Sequence, residues 1–546
     1  MSDLSALHAS DAPTAFRGLF RTDLLARALY AEGAGIARCV PAAVAVPADA
    51  DDVPALASWA KRTGAALIPR GSGSGMAAGA VGPGVVVDLS RLQRIDRVNV
   101  DTRRVRVGAG ALRGAVDRAA RAVGLRFPVD PSSGPFCTIG GMVAANAAGA
   151  RTLKFGATRP WVMGIRCVFD DGSDAWVHRE QPLPALPAVA RLVRALDEIG
   201  RGVPAERLQH ATRKESSGYG VAAALSPAGH LVDVLAGSEG TLALFTEIEL
   251  ALIPVAHATA TVLATFGSLE DATVCATQAA GAGASACELL DRTFLNVAER
   301  GAPTGIPAGA EAVLLIECEG SSTDDCRRAL DDVLRICSIN GAMQTLNASD
   351  PEAEHRLWAL RHAASPILAR LAPTLRSMQF IEDGCVPPDR FPDYVRGVRA
   401  ALERFDTLGV IFGHAGDAHA HVNPLVDTTA PGWRDRVHGI LHEVCALTAA
   451  LGGTLAGEHG DGRLRAPLLD RVWSLEARAA FANIKAAADP SGVLNPGCKV
   501  ALPGAEPFDV LRHDPTAAPL PPEAAAVLAE VEQTRDWSRF RLAALS

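Results

Sequence analysis

The stretch ALIPRGSGSGMAAGAVGPGVVVDLSRL, residues 65–91, sets six glycines, from Gly71 to Gly84, between two apolar runs. The spacing Gly73-x-Gly75-x-x-Ala78 comes close to the G-x-G-x-x-G fingerprint, whose glycines open a helix that faces a pyrophosphate. The residues after Ala78 do not open a helix. Gly79 and Gly82-Pro83-Gly84 lead into Val85-Val86-Val87-Asp88-Leu89, a β-branched run bounded by turn residues, which predicts a second strand. Strand, glycine loop, strand is not the order of a mononucleotide fold, and NAD held in the usual manner does not fit it. Bare glycine amides can still form a nest for an anion and let it approach the backbone closely.

At 546 residues the chain has room for two or three domains with substantial cores. Its net charge of −8, without a basic block, argues against a nucleic-acid partner. The first twenty residues lack the basic and apolar regions of a secretory signal, and no run of eighteen uncharged apolar residues occurs, so no transmembrane helix is expected. The eleven cysteines are scattered and form no C-x-x-C pair. That spacing argues against iron–sulfur clusters and a disulfide scaffold, and it suits a reduced, cytoplasmic protein.

Turn residues and periodicity predict a helix over 53–62, strands at 65–69, 85–89 and 98–111, and a helix over 112–124. A long irregular segment from Phe127 to Val162 is rich in small residues, and a loop of that length in a compact domain is usually functional. Strand then begins at Val162, and residues 230–254 read as further strand, broken at Gly237–Gly240. After Pro254 the order becomes β-α-β-α, the mark of a separate α+β domain. The expected organisation is residues 1–254, 255–440, a C-terminal return over 441–504, and a tail over 505–546 that reads as an arm.

Three of the fourteen histidines, His414, His419 and His421, fall within FGHAGDAHAHVNP. Neutral imidazole is the commonest metal ligand, and residues two apart on a strand share a face. Asp417 and Asn423 lie beside them. In GEHGDGRLR, Glu458 is a candidate carboxylate ligand and His459 a candidate base. Arg361, in LWALRHAASP, lies on a helix expected to end before Pro366; it matters if a carboxylate faces it, because guanidinium binds carboxylates in bidentate geometry. Read locally, each group has a plain alternative: hydrogen-bonding histidines, a polar glycine loop, a solvated arginine. No G-x-S-x-G nucleophile elbow and no complete Walker A sequence is present.

Six ordered segments together resemble a known family: PRGSGSGMAAGA, DPSSGPFCTIGGMVAANAAGARTLKFG, GSEGTLALFTEIELALIP, FGHAGDAHAHVNP, GEHGDG and DPSGVLNPGCK. They are similar to the FAD-linked D-2-hydroxyacid dehydrogenases of the vanillyl-alcohol-oxidase superfold, which include D-lactate dehydrogenase, the glycolate oxidase flavin subunit and D-2-hydroxyglutarate dehydrogenase. The resemblance spans roughly residues 25–500. It implies an α+β protein: a two-subdomain FAD-binding domain of the vanillyl-alcohol-oxidase type and a ferredoxin-like substrate, or cap, domain.

The resemblance also implies roles. Arg70, Gly71, Ser72, Gly73, Ser74, Gly75 and Met76 would wrap the FAD pyrophosphate. Pro131, Ser132, Thr138, Gly140, Gly141, Ala144, Asn146 and Gly149 would lie along the cofactor. Glu239, Gly240, Ile248 and Asn495 would complete its surroundings. The loop carries no histidine, so the FAD is expected to be non-covalent. His414, His421 and Glu458 would hold a divalent metal, zinc by likeness, with His459 as catalytic base. Arg361 would grip the substrate C1 carboxylate, and Ser365 and Asn423 would face the substrate, a small 2-hydroxyacid oxidised by hydride transfer to flavin N5.

The sequence also departs from the family. Ala418 and His419 stand where the usual pattern GHxGDGNxH has glycine and asparagine, so His419 is an extra ligand or an intruder. Where the D-2-hydroxyglutarate enzymes often carry a lysine for a distal carboxylate, MQFIEDGCVP offers Ile381, Glu382 and Asp383. No iron–sulfur cysteine cluster is present, so electrons would pass to an external acceptor: a quinone, a cytochrome or an electron-transfer protein. A second copy or an iron–sulfur subunit is the expected protein partner, and a quinone acceptor would put the protein at the periphery of the inner membrane. The alternatives are a metal-independent flavin oxidase of an alcohol or sugar, a non-catalytic flavin subunit of an iron–sulfur complex, and a relative of the alkyl-glycerone-phosphate synthases.

Overall fold

The computed structural model describes residues 11–300, 304–368 and 374–545; the side chains of 362–368 fall outside that description. The glycine loop lies in a four-stranded sheet ordered Leu19–Arg21, Ala43–Val46, Val85–Asp88, Leu67–Arg70, with its last three strands parallel. Parallel strands covered on both faces read as continuous apolar runs. Val85 and Val87 accordingly pack with Leu56 and Trp59 on one side, while Val86 packs with Leu29 and Tyr30 on the other. The crossover helix Val53–Thr63 begins after Asp52, whose carboxylate accepts from the Ala48 amide, and stops at left-handed Gly64.

The second sheet is antiparallel, ordered Arg104–Gly108, Leu244–Ala251, Val162–Val168, Asp174–His178. The strand expected over 98–111 is shorter here, because residues 100–103 turn, with Arg103 at φ 52°. Residues 231–235, read as strand, form a helix instead. His230 and Asp233 cap it reciprocally, a local bonding pattern that outweighs the β-branched run. The irregular segment contains the helix Ile139–Ala145, capped by Thr138 and ended by left-handed Asn146.

Residues 258–348 run β-α-β-β-α-β with one extra helix, Arg292–Glu299, between the second and third strands, and the strands are ordered Ala342–Ala348, Ala258–Phe266, Ala312–Gly320, Ala284–Asp291. This is the ferredoxin-like arrangement. The strand Ala284–Asp291, not read from the sequence, continues the sheet into Gly409–Gly413, His419–Asp427 and Leu375–Ser377. This sheet is tied to the N-terminal region by Arg151, which bonds Asp130 at 2.5 Å and both oxygens of Glu317, in the strand Ala312–Gly320, at 2.8 and 2.5 Å. Arg126 and Glu319 form a second pair nearby.

The tail is not a loose arm. Its helix Pro522–Thr534 buries Ala524, Leu528 and Val531, and Ala524 and Leu542 complete the core over the first sheet. Among the described residues no helix is long and apolar enough to cross a membrane.

Candidate active site

The strands Gly409–Gly413 and His419–Asp427 pair antiparallel with Phe412 opposite His421. The chain between them reverses through a short turn over Ala415–Asp417, closed by Ala418 at φ 55°. That left-handed turn folds His414 back toward His419 and His421, so the three rings lie 4.7–5.4 Å apart, centre to centre. Ala418 holds a conformation that glycine adopts freely and alanine does not.

Glu458 and His459 arrive from the loop after the helix Trp433–Ala450. The Nε2 atoms of His414, His421 and His459 converge on one atom, Glu458 Oε1, at 3.3, 3.3 and 3.4 Å. The other oxygen of Glu458 is bonded by Lys214 Nζ at 3.0 Å. Donor atoms of His414, His419, His421 and Glu458 all lie within 4.8 Å of one another. Three imidazoles and one buried carboxylate suit a borderline divalent ion such as zinc.

Acids behind the histidines orient them. His414 Nδ1 lies 2.5 Å from Glu288, and His459 Nδ1 lies 2.6 Å from Glu382. His421 Nδ1 meets the Glu382 carbonyl at 2.8 Å, and His419 Nε2 meets Asp383 at 2.9 Å. Asp383 also accepts from the Glu458 and His459 amides, pinning their backbone, and Arg465 pairs with both Glu382 and Asp383. A ring nitrogen fixed in this way leaves the opposite one free for an ion or a proton.

Burial works against every charge here, and neighbouring charges outweigh it. The Glu458 carboxyl is held well below the usual carboxylate range by Lys214 and His414. His414 is pushed up to about 9, chiefly by Glu288 against the cost of burial. His459 is raised well above its ordinary range, because Glu382 and Asp383 overcome its desolvation. His419 goes the other way, down to about 3, because burial dominates.

Arg361 sits on the helix Pro351–Leu368, which continues through Pro366 instead of ending before it. A proline this close to a helix C-terminus removes one backbone hydrogen bond and can be accommodated. Arg361 Nε bonds Glu288 at 2.6 Å, and its guanidinium lies 4.8 Å from the centre of the Phe412 ring. Glu288 therefore joins the expected carboxylate-binding arginine to an expected metal ligand. Asn423 follows His421 by two residues on the same strand face. Ser365 lies outside the residues whose side chains are described.

The expected cofactor residues fall into two groups. The first forms an open cradle. A side chain at Gly75 would meet no atom within 4 Å, Gly141 and Ser132 are exposed, and Gly71 touches Thr138 closely enough to exclude a Cβ. Gly140 packs on Ala109, and Gly149 on Asp130. The second group builds the wall. Arg70 turns its guanidinium to the Tyr30 and Glu32 carbonyls. Asn146 bonds the Glu215 carbonyl and the Arg159 amide, and Asn495 bonds the Gly79 and Glu239 carbonyls. Glu239 accepts from the Asp461 and Gly462 amides and pairs with Lys499. Ile248 is buried in the second sheet's core. The open glycine backbone of the first group fits a bulky anionic cofactor.

Sequence reasoning gave no role to Lys214, Glu288, Arg463, Arg465 or Lys499, and it noted Glu382 and Asp383 only as a missing lysine. Arg463 bonds the Ala78, Gly79 and Val81 carbonyls and so laces the glycine loop to the GEHGDG loop. For the acids, the available signal was a carboxylate set within an apolar run, as in ACELL and FIEDGC.

A family model described as FAD binding domain matches residues 41–177, and one described as FAD linked oxidases, C-terminal domain, matches residues 255–498. Glycolate oxidase subunit GlcD of Bacillus subtilis is 29% identical over 462 residues, covering 84% of this chain and 88% of its own. D-lactate dehydrogenase of Archaeoglobus fulgidus is 28% identical, covering 83% and 90%. D-2-hydroxyglutarate dehydrogenase of Pseudomonas putida is 29% identical across 89% of this chain, which spans 51% of that protein's length. Among solved structures, 4-ethylphenol oxidase from Gulosibacter chungangensis superposes with a TM-score of 0.65 at 15% identity, covering 89% of this chain and 94% of that one. That likeness bears on the fold, which is of the vanillyl-alcohol-oxidase type.

Proposed function

Because the chain belongs to the FAD-linked oxidases, we propose that it is an FAD- and divalent-metal-dependent dehydrogenase that oxidises a D-2-hydroxyacid to the 2-oxoacid. The observation that carries this reading is the convergence of His414, His421 and His459 on Glu458 Oε1, with Glu288 linking His414 to Arg361. An acid–base group, a metal-binding set and a carboxylate-binding cation thus meet in one place.

His414, His421 and Glu458 would hold the metal, and the glycine loop with residues 131–149 would hold the FAD. When bound, the metal lowers the pKa of the substrate hydroxyl and the flavin accepts the C2 hydrogen with its electron pair. With a cation held by Glu458 to disfavour the imidazolium beforehand, His459 would take the hydroxyl proton at Nε2, while Glu382 on Nδ1 stabilises the imidazolium that results. Arg361 binds the substrate carboxylate, and Phe412 beneath the guanidinium limits its movement. Asn423, on the same strand face as His421, faces the substrate. Glu382 and Asp383, where a lysine would serve a distal carboxylate, are spent on His459 and Arg465, so the reading favours a monocarboxylate such as D-lactate. An external acceptor, a quinone, a cytochrome or an electron-transfer protein on the cytoplasmic side, would take the electrons.

Anaerobic titration of the purified flavoprotein with D-lactate, D-2-hydroxyglutarate and D-malate, before and after chelation, tests this. Bleaching by one D-acid that stops on chelation is expected. Bleaching indifferent to chelator would remove the metal from the mechanism, and a flavin that none of the acids bleaches would overturn the substrate class.

A further inference from the structure

His419 is wholly buried, yet only one of its ring nitrogens has a partner. Nε2 lies 2.9 Å from Asp383 Oδ1, and the remaining contacts of that carboxylate are with donors: the Glu458 amide, the His459 amide and Arg465. An acceptor so surrounded requires the proton on Nε2, which leaves Nδ1 as a bare lone pair. That Nδ1 has no hydrogen-bond partner. An orphaned polar atom is costly when buried, so its presence in the histidine cluster needs a reason.

We propose that His419 is a further metal ligand through Nδ1, so that the ion is held by three imidazoles and one carboxylate. The proposal rests on the metal-centre reading of the site. His419 belongs to the group of four residues whose donor atoms lie within 4.8 Å of one another. Two ligands at about 2.1 Å from one ion stand at most about 4.2 Å apart, so small side-chain adjustments close the group around a cation. The Asp383–His419 pair also has the form that orients metal-bound histidines, with a carboxylate on the nitrogen remote from the ion. Three nitrogen donors select borderline transition ions, zinc or cobalt, over magnesium and calcium. The histidine at this position, where the usual pattern has asparagine, then tightens the hold on such an ion while leaving the base and the carboxylate-binding arginine in place.

The test uses the FAD-loaded full chain and two variants. His419→Gln retains an N–H near the Nε2 position for Asp383 and removes Nδ1, whereas His419→Asn restores the residue of the usual pattern. Zinc affinity is measured by competition with a chelator, and imidazole ligands are counted by zinc-edge X-ray absorption. The wild type is expected to show three imidazoles and both variants two, with zinc bound ten- to a hundred-fold more weakly. An unchanged imidazole count in His419→Gln, or an unchanged affinity in both variants, overturns the proposal. Thermal midpoints of the zinc-free proteins separate a packing defect from ligation: a lowered midpoint with the imidazole count intact also counts against it. A wild type that takes up no stoichiometric zinc or cobalt would overturn the metal-centre reading itself, before any variant is made.

Discussion

Glu382 holds His459 by a 2.6 Å contact to Nδ1 while Arg465 holds the other oxygen of the same carboxylate. The proposed base is therefore fixed in one ring orientation by a buried ion pair. Glu382→Gln should retain FAD but slow flavin reduction by about 10–100-fold, the usual cost of losing a group that orients a catalytic histidine. Stopped-flow reduction under anaerobic conditions measures it. A rate equal to wild type would show that His459 does not depend on this acid.

Lys214 Nζ is buried among Glu458, Asp417 and the Gly149 carbonyl, at 3.0, 3.5 and 3.0 Å. Lys214→Met leaves those acids without their cation. Removing one partner of a buried ion pair costs about 3–5 kcal/mol, so the variant should melt earlier. Added zinc, which places positive charge on the other side of Glu458, should recover more of the midpoint than it adds to wild type. Scanning fluorimetry with and without metal reads both effects.

Gly462 stands at φ 51°, and a Cβ there would come within 1.7 Å of the Ala77 carbonyl oxygen. Gly462→Ala must push the GEHGDG loop away from the glycine loop, and the Gly462 amide bond to Glu239 with it. The expected result is protein purified with little or no flavin and destabilised by at least about 2 kcal/mol. The flavin-to-protein absorbance ratio decides it, and full occupancy would contradict the tight approach.

Asp291 caps the helix Arg292–Glu299 by accepting from the Phe294 amide at 2.7 Å, but burial pushes its carboxyl up to about 7. A raised carboxyl contributes stability that is present below its unfolded value near 4 and lost as pH rises through about 7. Asp291→Asn keeps an acceptor for the cap and has no proton to lose. It should match wild type near pH 4 and be more stable at pH 8, by at most about 4 kcal/mol for a shift of this size. Denaturant midpoints at the two pH values test the sign.

The glycine loop could be read as strand, loop, strand because Val85–Val87 has no polar residue to place on a solvent face, and the parallel sheet confirms why. His414, His421, Glu458 and Arg361 were legible because their residue types are specific and their segments recognisable. Glu288 was not, since its strand had gone unread and its partners lie 73 and 126 residues away. Lys214 was hidden for the same reason: its meaning comes from Glu458, 244 residues on. The helix Leu231–Leu235 misled because five residues carry no usable period, and only the His230–Asp233 cap distinguishes it.

Arg151 joins Asp130 on the flavin side to Glu317 in the cap sheet, and the Glu317 side chain is 2% exposed. Arg151 is thus a clasp between segments far apart in the chain, seconded by the Arg126–Glu319 pair. Parting the two regions would break both ion pairs, a loss that hydration of the freed groups would partly offset.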